Sequence, residues 1–143
     1  MSKELKDKAL RMLARREHSR AELARKLGAE ADGEELRALL DRLEETGLLS
    51  DARYAEAYVA ARGARFGAAR LRHDLRASGV GEEIIEAVLP ADAGEEIARA
   101  REVWRRRFDA PATDRAGFAR QARFLQGRGF AMDVIRKVLK EQE

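Results

Sequence analysis

Residues 71–89 read Leu71-Arg72-His73-Asp74-Leu75-Arg76-Ala77-Ser78-Gly79-Val80-Gly81-Glu82-Glu83-Ile84-Ile85-Glu86-Ala87-Val88-Leu89, and this pattern recurs on both sides of itself. A shift of 48 positions lays Leu23 on Leu71, Leu27 on Leu75, and Gly33-Glu34-Glu35-Leu36 on Gly81-Glu82-Glu83-Ile84. In the other direction a shift of 50 lays Leu75 on Leu125, Gly79 on Gly129, Val80 on Phe130, and Val88-Leu89 on Val138-Leu139. Matching that runs without a gap through a loop marks an internal repeat. One short helical unit buries little apolar surface alone, so neighbouring copies are expected to stack and share a core.

Within each copy the apolar residues keep the helical period, as in Leu36, Leu39, Leu40 and Leu43. Starts are marked by Ser19 with Glu22 three residues later, a capping box, and by the N-cap candidates Ser50 and Thr113. Gly28, Gly47, Gly79 and Gly129 mark stops, and Pro90 and Pro111 fall in stretches that read as linkers. Together these signals predict helices over 3–15, 20–27, 34–46, 51–62, 67–78, 82–89, 95–108, 115–128 and 131–141. The fold class they imply is all-α. Three tandem three-helix, helix-turn-helix-like repeats, spanning 1–49, 50–90 and 94–143, are expected to form an elongated, curved array.

The bulk properties fit that reading. Charged residues are 38% of the 143, with two prolines and an Ala, Leu, Arg and Glu bias that suits exposed helices and leaves few β-branched residues for strands. There is no cysteine, which removes both disulfides and thiolate metal sites. The first residues, Met1-Ser2-Lys3-Glu4-Leu5-Lys6-Asp7-Lys8, carry charge where an export signal is apolar, and no stretch approaches the roughly 18 apolar residues of a membrane span. A monomeric, cytoplasmic protein with no membrane association is expected.

Chemistry-bearing motifs are missing. His18 and His73 lie far apart, no P-loop pattern occurs, and no Ser, His and carboxylate set presents itself. Glu34-Glu35 and Glu82-Glu83 open helices, where carboxylates complement the macrodipole. Catalytic residues, a metal site and a cofactor are therefore not expected, and the chain reads as a non-enzyme.

Charge is distributed unevenly beneath a net value of +3. Residues 29–52 hold eight acidic side chains against Arg37 and Arg42, a balance of minus six. In 62–76, Arg62, Arg65, Arg70, Arg72 and Arg76 face Asp74 alone, and in 99–128 nine arginines face Glu102, Asp109 and Asp114. Such a bipolar chain suits binding to another macromolecule. A recognition helix would place Glu34-Glu35 or Glu82-Glu83 against phosphates, which argues against sequence-specific DNA reading. Arginines concentrate instead on the second helices of the later units, so nucleic acid, if touched, is met at its backbone. The contact candidates are Arg62, Arg65, Arg70, Arg72, Arg76, Arg120, Arg123 and Arg128, with Tyr54, Tyr58 and Phe66 beside them. Arg105-Arg106-Arg107 adds a basic run next to Trp104, and Trp104 and Phe108 are expected in the core.

These residues resemble the RecX family of bacterial regulators of the RecA recombinase. The resemblance runs through Arg16, Ser19-Arg20-Ala21-Glu22-Leu23, Lys26-Leu27, Leu43 and Gly47-Leu48-Leu49-Ser50-Asp51-Ala52-Arg53-Tyr54-Ala55. It continues through Gly67, Arg70-Leu71-Arg72, Leu75 and Gly79-Val80, then Arg123-Phe124-Leu125, Arg128-Gly129-Phe130, Val134-Ile135 and Val138-Leu139. Two positions depart from the family pattern: Ala68 stands where proline is expected and Asp74 where glutamate is usual. The resemblance implies tandem three-helix repeats and a partner, the RecA filament on DNA, in whose groove such proteins lodge and restrain ATP hydrolysis, strand exchange and coprotease activity. A helix-turn-helix transcriptional regulator and a helical-repeat interaction scaffold are the alternative functions.

Overall fold

The computed structural model describes residues 2–90 and 92–141. Among the described residues there are nine α-helices, one 3-10 turn and no strand. The helices are α1 (Lys3–Arg15), α2 (Arg20–Leu27), α3 (Gly33–Glu45), α4 (Asp51–Arg62), α5 (Ala68–Ala77), α6 (Glu82–Val88), α7 (Ala93–Arg107), α8 (Arg115–Gly127) and α9 (Met132–Glu141).

Side-chain caps fix most of the starts. Ser19 Oγ accepts from the Glu22 amide at 3.0 Å while Glu22 returns a carboxylate oxygen to the Ser19 amide, which completes the expected capping box. Ser50 Oγ accepts from the Arg53 amide at 3.1 Å. Before α8 the cap is Asp114, which accepts from Gly117 at 2.8 Å, and not Thr113 as the sequence suggested. A carboxylate one residue later both caps the turn and meets the positive end of the helix, which a hydroxyl does only by hydrogen bonding.

Three stops share one geometry. Gly47, Gly79 and Gly129 have φ of 79°, 81° and 94°. After each, the next amide reaches back to the carbonyl of a leucine five residues earlier: Leu48 to Leu43 at 2.9 Å, Val80 to Leu75 at 3.0 Å and Phe130 to Leu125 at 3.2 Å. These are Schellman caps. Gly28 also stops its helix where expected, directly after Leu27, but by a different geometry. Its φ is −62°, and the chain continues as a 3-10 turn over Gly28–Glu30 before extending at Ala31. The repeat places Ala31 where Gly79 stands, and alanine adopts the left-handed region only at a cost, so the chain leaves the helix another way.

By compactness the chain falls into two units, Met1–Ala57 with Leu75–Ile85, and Tyr58–Asp74 with Glu86–Glu143. The central helices contribute to both. The first unit holds a leucine-rich core of Leu5, Ala9, Leu23, Leu27, Leu39, Leu40, Leu43 and Leu49. In the second, α7, α8 and α9 close over Val103, Trp104, Leu125, Phe130, Ile135 and Val138. Trp104 is buried there, as expected, and its indole N–H donates to Gln121 Oε1 at 2.9 Å, while Gln121 Nε2 donates to the Ala110 carbonyl at 3.1 Å. A buried amide satisfied in this way stabilises a core that an unpaired one would weaken.

Both units use the same joint. In the first, Ser19 Oγ donates to the Ser78 carbonyl at 2.6 Å, and the Arg20 amide at the start of α2 donates to Asp51 Oδ1 at 2.8 Å. In the second, the Gly67 amide donates to the Arg128 carbonyl at 2.7 Å, and the Ala68 amide at the start of α5 donates to Glu96 Oε1 at 3.0 Å. The same 48- and 50-residue shifts relate Ser19 to Gly67 and Ser78 to Arg128. Each second helix thus starts against the C-terminal end of the next repeat's second helix, with a carboxylate from the next repeat on its first orphan amide.

Candidate functional site

Arginine dominates the second unit, and its guanidinium groups are sorted by three kinds of partner. Some are held inside the protein. Arg99, counted in the sequence among the basic residues of 99–128, donates to the carbonyls of Gly63 at 3.0 Å and Phe66 at 2.6 Å and pairs with Glu96 at 3.0 Å. It ties down the loop between α4 and α5 and is not available to a partner.

A second group is matched by carboxylates at the surface. Arg70 pairs with Asp74 at 3.2 Å, and Asp74 also accepts from the Tyr58 hydroxyl at 2.5 Å. Arg72 sends Nε and Nη2 to Glu86 Oε1 at 3.3 and 3.1 Å. In the first unit, Arg76 forms a two-pronged pair with Glu82, with Nη2 at 2.9 Å. The sequence suggested a bare basic face on α5, since α5 itself carries one carboxylate. α6 supplies two more at i,i+4 spacing, which lowers the net charge of that face without removing its arginines. Such exposed pairs contribute only a few tenths of a kcal/mol and exchange readily for another anion.

The third group stands on aromatic rings. Arg62 lies 4.8 Å from the Tyr58 ring centroid. Phe66 is surrounded by Arg65, Arg70 and Arg128 at 5.9, 4.7 and 5.5 Å. Arg107 and Arg128 lie 5.7 and 5.1 Å from Phe124, and Phe124 meets Phe108 edge-on at 5.4 Å. Cation–π contact restrains a guanidinium without using up its N–H donors, which stay able to meet an anion. Arg65, Arg106, Arg107 and Arg128, with Ala64, Val103 and Phe124, line a hollow of about 230 Å³. None of these four arginines pairs with a carboxylate among the described residues.

Arg120 and Arg123, both exposed on α8, likewise have no carboxylate partner among the described residues. The structure therefore brings Arg65 and Arg128 together with two residues outside the expected contact set, Arg106 and Arg107. Their signal was the run 105–107. Consecutive helical residues point about 100° apart, so Arg105 turns to Glu102 at 2.6 Å while the next two reach the hollow. Tyr54 is buried and hydrogen-bonds Ser78 Oγ at 2.9 Å, so it packs and presents nothing to a partner.

The first unit adds one polar cluster. Arg16 grips Glu22 through Nη1 and Nη2 at 3.2 and 2.6 Å. Burial alone would raise the Glu22 carboxyl, but the bond and charge of Arg16, with His18 and Lys26, leave it below its ordinary value. His18, buried alongside, faces the Arg16 carbonyl through Nδ1 at 3.0 Å and Lys26 Nζ through Nε2 at 3.3 Å. Burial, and the charges of Arg16 and Lys26, depress its pKa below the usual value. The neutral tautomer with hydrogen on Nδ1 satisfies both neighbours. Among the described residues no group of three or more His, Asp or Glu is placed to hold a metal, and no helix is long and apolar enough to cross a membrane.

The first, second and third three-helix domains of RecX match residues 6–43, 50–89 and 94–139 in turn. This chain belongs to the RecX family. Among relatives, the regulatory protein RecX of Leptothrix cholodnii is 50% identical over 95% of this chain and 87% of its own length. RecX of Herminiimonas arsenicoxydans is 44% identical over 97% of this chain and 93% of its own. The crystal structure of RecX from Lactobacillus salivarius superposes with a TM-score of 0.82 at 20% identity, covering 97% of this chain and 94% of that one, a likeness of fold. A regulatory role follows for this RecX-family chain. Its Ala68, where the family pattern expects proline, supplies the amide that Glu96 accepts, a bond proline could not make.

Proposed function

We propose that this RecX-family protein binds RecA filaments assembled on DNA and restrains their ATPase, recombinase and coprotease activities, acting as a monomer in the cytoplasm by binding and without a catalytic step of its own. The observation that carries this reading is the ordered match of all three RecX domains along nearly the whole chain. Three tandem repeats, 1–49, 50–90 and 94–143, would span neighbouring filament protomers.

The side chains support the same reading against a sequence-specific DNA reader. Asp32, Glu34 and Glu35 gather at the start of α3, and Glu82 and Glu83 at the start of α6, where a recognition helix would meet phosphates. Arginine pairs that exchange easily, together with unpaired arginines held on rings, favour docking to an acidic protein surface with auxiliary contact to the DNA backbone. Arg62, Arg65, Arg70, Arg72, Arg76, Arg120, Arg123 and Arg128 are the proposed contacts, those on α5 reaching a partner by exchanging their carboxylates.

The test is the ATPase rate of RecA on single-stranded DNA with this protein titrated in, beside its binding to the bare strand. Hydrolysis is expected to fall at concentrations too low to coat free DNA. Unchanged hydrolysis at saturating protein overturns the reading.

A further inference from the structure

The hollow between the end of α7, the end of α8 and the loop after α4 lies within the second unit. Its rim carries Arg65, Arg106, Arg107 and Arg128, and its lining contains no acidic residue. Four like charges around about 230 Å³ repel one another, an arrangement that a bound anion relieves. Three of the four are also restrained in advance: Arg107 and Arg128 flank Phe124, and Arg65 and Arg128 flank Phe66, which limits their rotation. Little side-chain entropy then remains to be lost on binding.

We infer that this hollow is a binding site for the phosphodiester backbone of a single nucleic-acid strand, held by Arg65, Arg106, Arg107 and Arg128 without reading its bases. Phosphate suits a planar fork, and successive phosphates along a strand match several forks set side by side. Stacked bases are not the attraction. Phe124, the one ring in the lining, already carries two guanidiniums, so no open aromatic platform is offered. The same crowding disfavours an acidic peptide, whose affinity would depend on an apolar anchor seated in a pocket. The inference rests on the auxiliary nucleic-acid contact in the reading above and not on recombinase contact.

The experiment measures the full chain binding a fluorescent oligo(dT) strand, and an abasic strand of equal length, by anisotropy across a salt series. The proteins are wild type, R107Q/R128Q, R106Q and, as a control outside both the hollow and the proposed contacts, R136Q on the exposed side of α9. Wild type is expected to bind both strands equally. Loss of two phosphate contacts in R107Q/R128Q should shrink the slope of log K against log salt by about 1.4, and R106Q by about 0.7, with R136Q changing it less. Circular dichroism and Trp104 fluorescence confirm folding, and R106Q, whose exposed side chain has no ring contact among the described residues, carries the test if the double variant misfolds. Unchanged affinity and slope in a folded variant overturn the site, as does binding of an acidic polyglutamate chain that depends on these arginines while oligo(dT) binding does not. Strand binding that depends on them, with RecA hydrolysis unaffected, upholds the site and sinks only the recombinase reading.

Discussion

Gly129 lies against Arg70 so closely that a Cβ on the glycine would sit 2.3 Å from the Arg70 Cβ and 2.7 Å from its amide nitrogen. Gly79 stands in the same relation to Ala21, 2.3 Å from Cβ to Cβ. At both points a left-handed helix cap is also the place where the preceding repeat's second helix packs, so the two demands for glycine coincide.

Gly129→Ala is therefore expected to cost more than the roughly 1 kcal/mol of left-handed strain, because Arg70 backbone must move as well. Gly127→Ala, at the last residue of α8 with open space around it, should be neutral or stabilise by up to about 1 kcal/mol. Urea denaturation of the two variants checks the contrast. Equal effects would show that the close approach contributes nothing.

Ser19→Ala removes one hydroxyl that serves two bonds, from the Glu22 amide and to the Ser78 carbonyl. The cap alone is worth about 1 kcal/mol, and leaving the Ser78 carbonyl without its donor adds a similar amount. The expected loss is about 2 kcal/mol by chemical denaturation. A loss confined to the cap value would mean that Ser78 finds water.

Acid should unfold the chain through His18 first. Its folded pKa lies below its ordinary 6.5, so in the window between the two the unfolded chain binds a proton that the folded one refuses, and stability falls as pH drops through it. Glu22, held below its ordinary 4.5, adds a second loss at lower pH, as the unfolded carboxyl protonates before the folded one. Stability measured against pH in wild type and His18→Gln should lose its slope just below pH 6.5 in the variant. A slope that persists there assigns the proton to another group.

Ala68→Pro restores the residue expected at the first position of α5. Proline is usually favourable at a helix start. Here it deletes the donor to Glu96, so a net destabilisation of about 1 kcal/mol is expected in thermal or urea melts. A stabilised variant would show that Arg99 alone satisfies Glu96.

Charge reversal of Arg70, Arg72 and Arg76 to glutamate would set like charges against Asp74, Glu86 and Glu82, so it perturbs the fold along with the surface. The neutral triple R70Q/R72Q/R76Q avoids this, costing no more than about 1 kcal/mol for three exposed pairs. It is expected to weaken filament binding in a pull-down with RecA on DNA. Conversely, E82Q/E86Q releases the arginines and should strengthen it. No change in either direction would remove α5 from the interface.

Much of the helix pattern was legible because it is local. The bounds 20–27 and 51–62 coincide with α2 and α4, since a capping serine or aspartate and the apolar period act within one or two turns. Thr113 was misread because two adjacent polar residues compete for one cap, and only the backbone path shows which side chain reaches the amides. Gly28 ends α2 without the left-handed turn of the other stops, because glycine permits that conformation without requiring it.

The amino-acid sequence by itself determined the repeat, the helices and the glycines at 79 and 129, because hydrophobic period, caps and left-handed turns are properties of neighbouring residues. Tertiary structure alone decided which charges remain available. Arg99 turns inward to the 63–67 loop, Arg72 finds Glu86, and Arg65, Arg106, Arg107 and Arg128 gather from three separate segments around Phe124. A charge interacts over distance in space and not along the chain, so its partner is fixed only once the segments are packed.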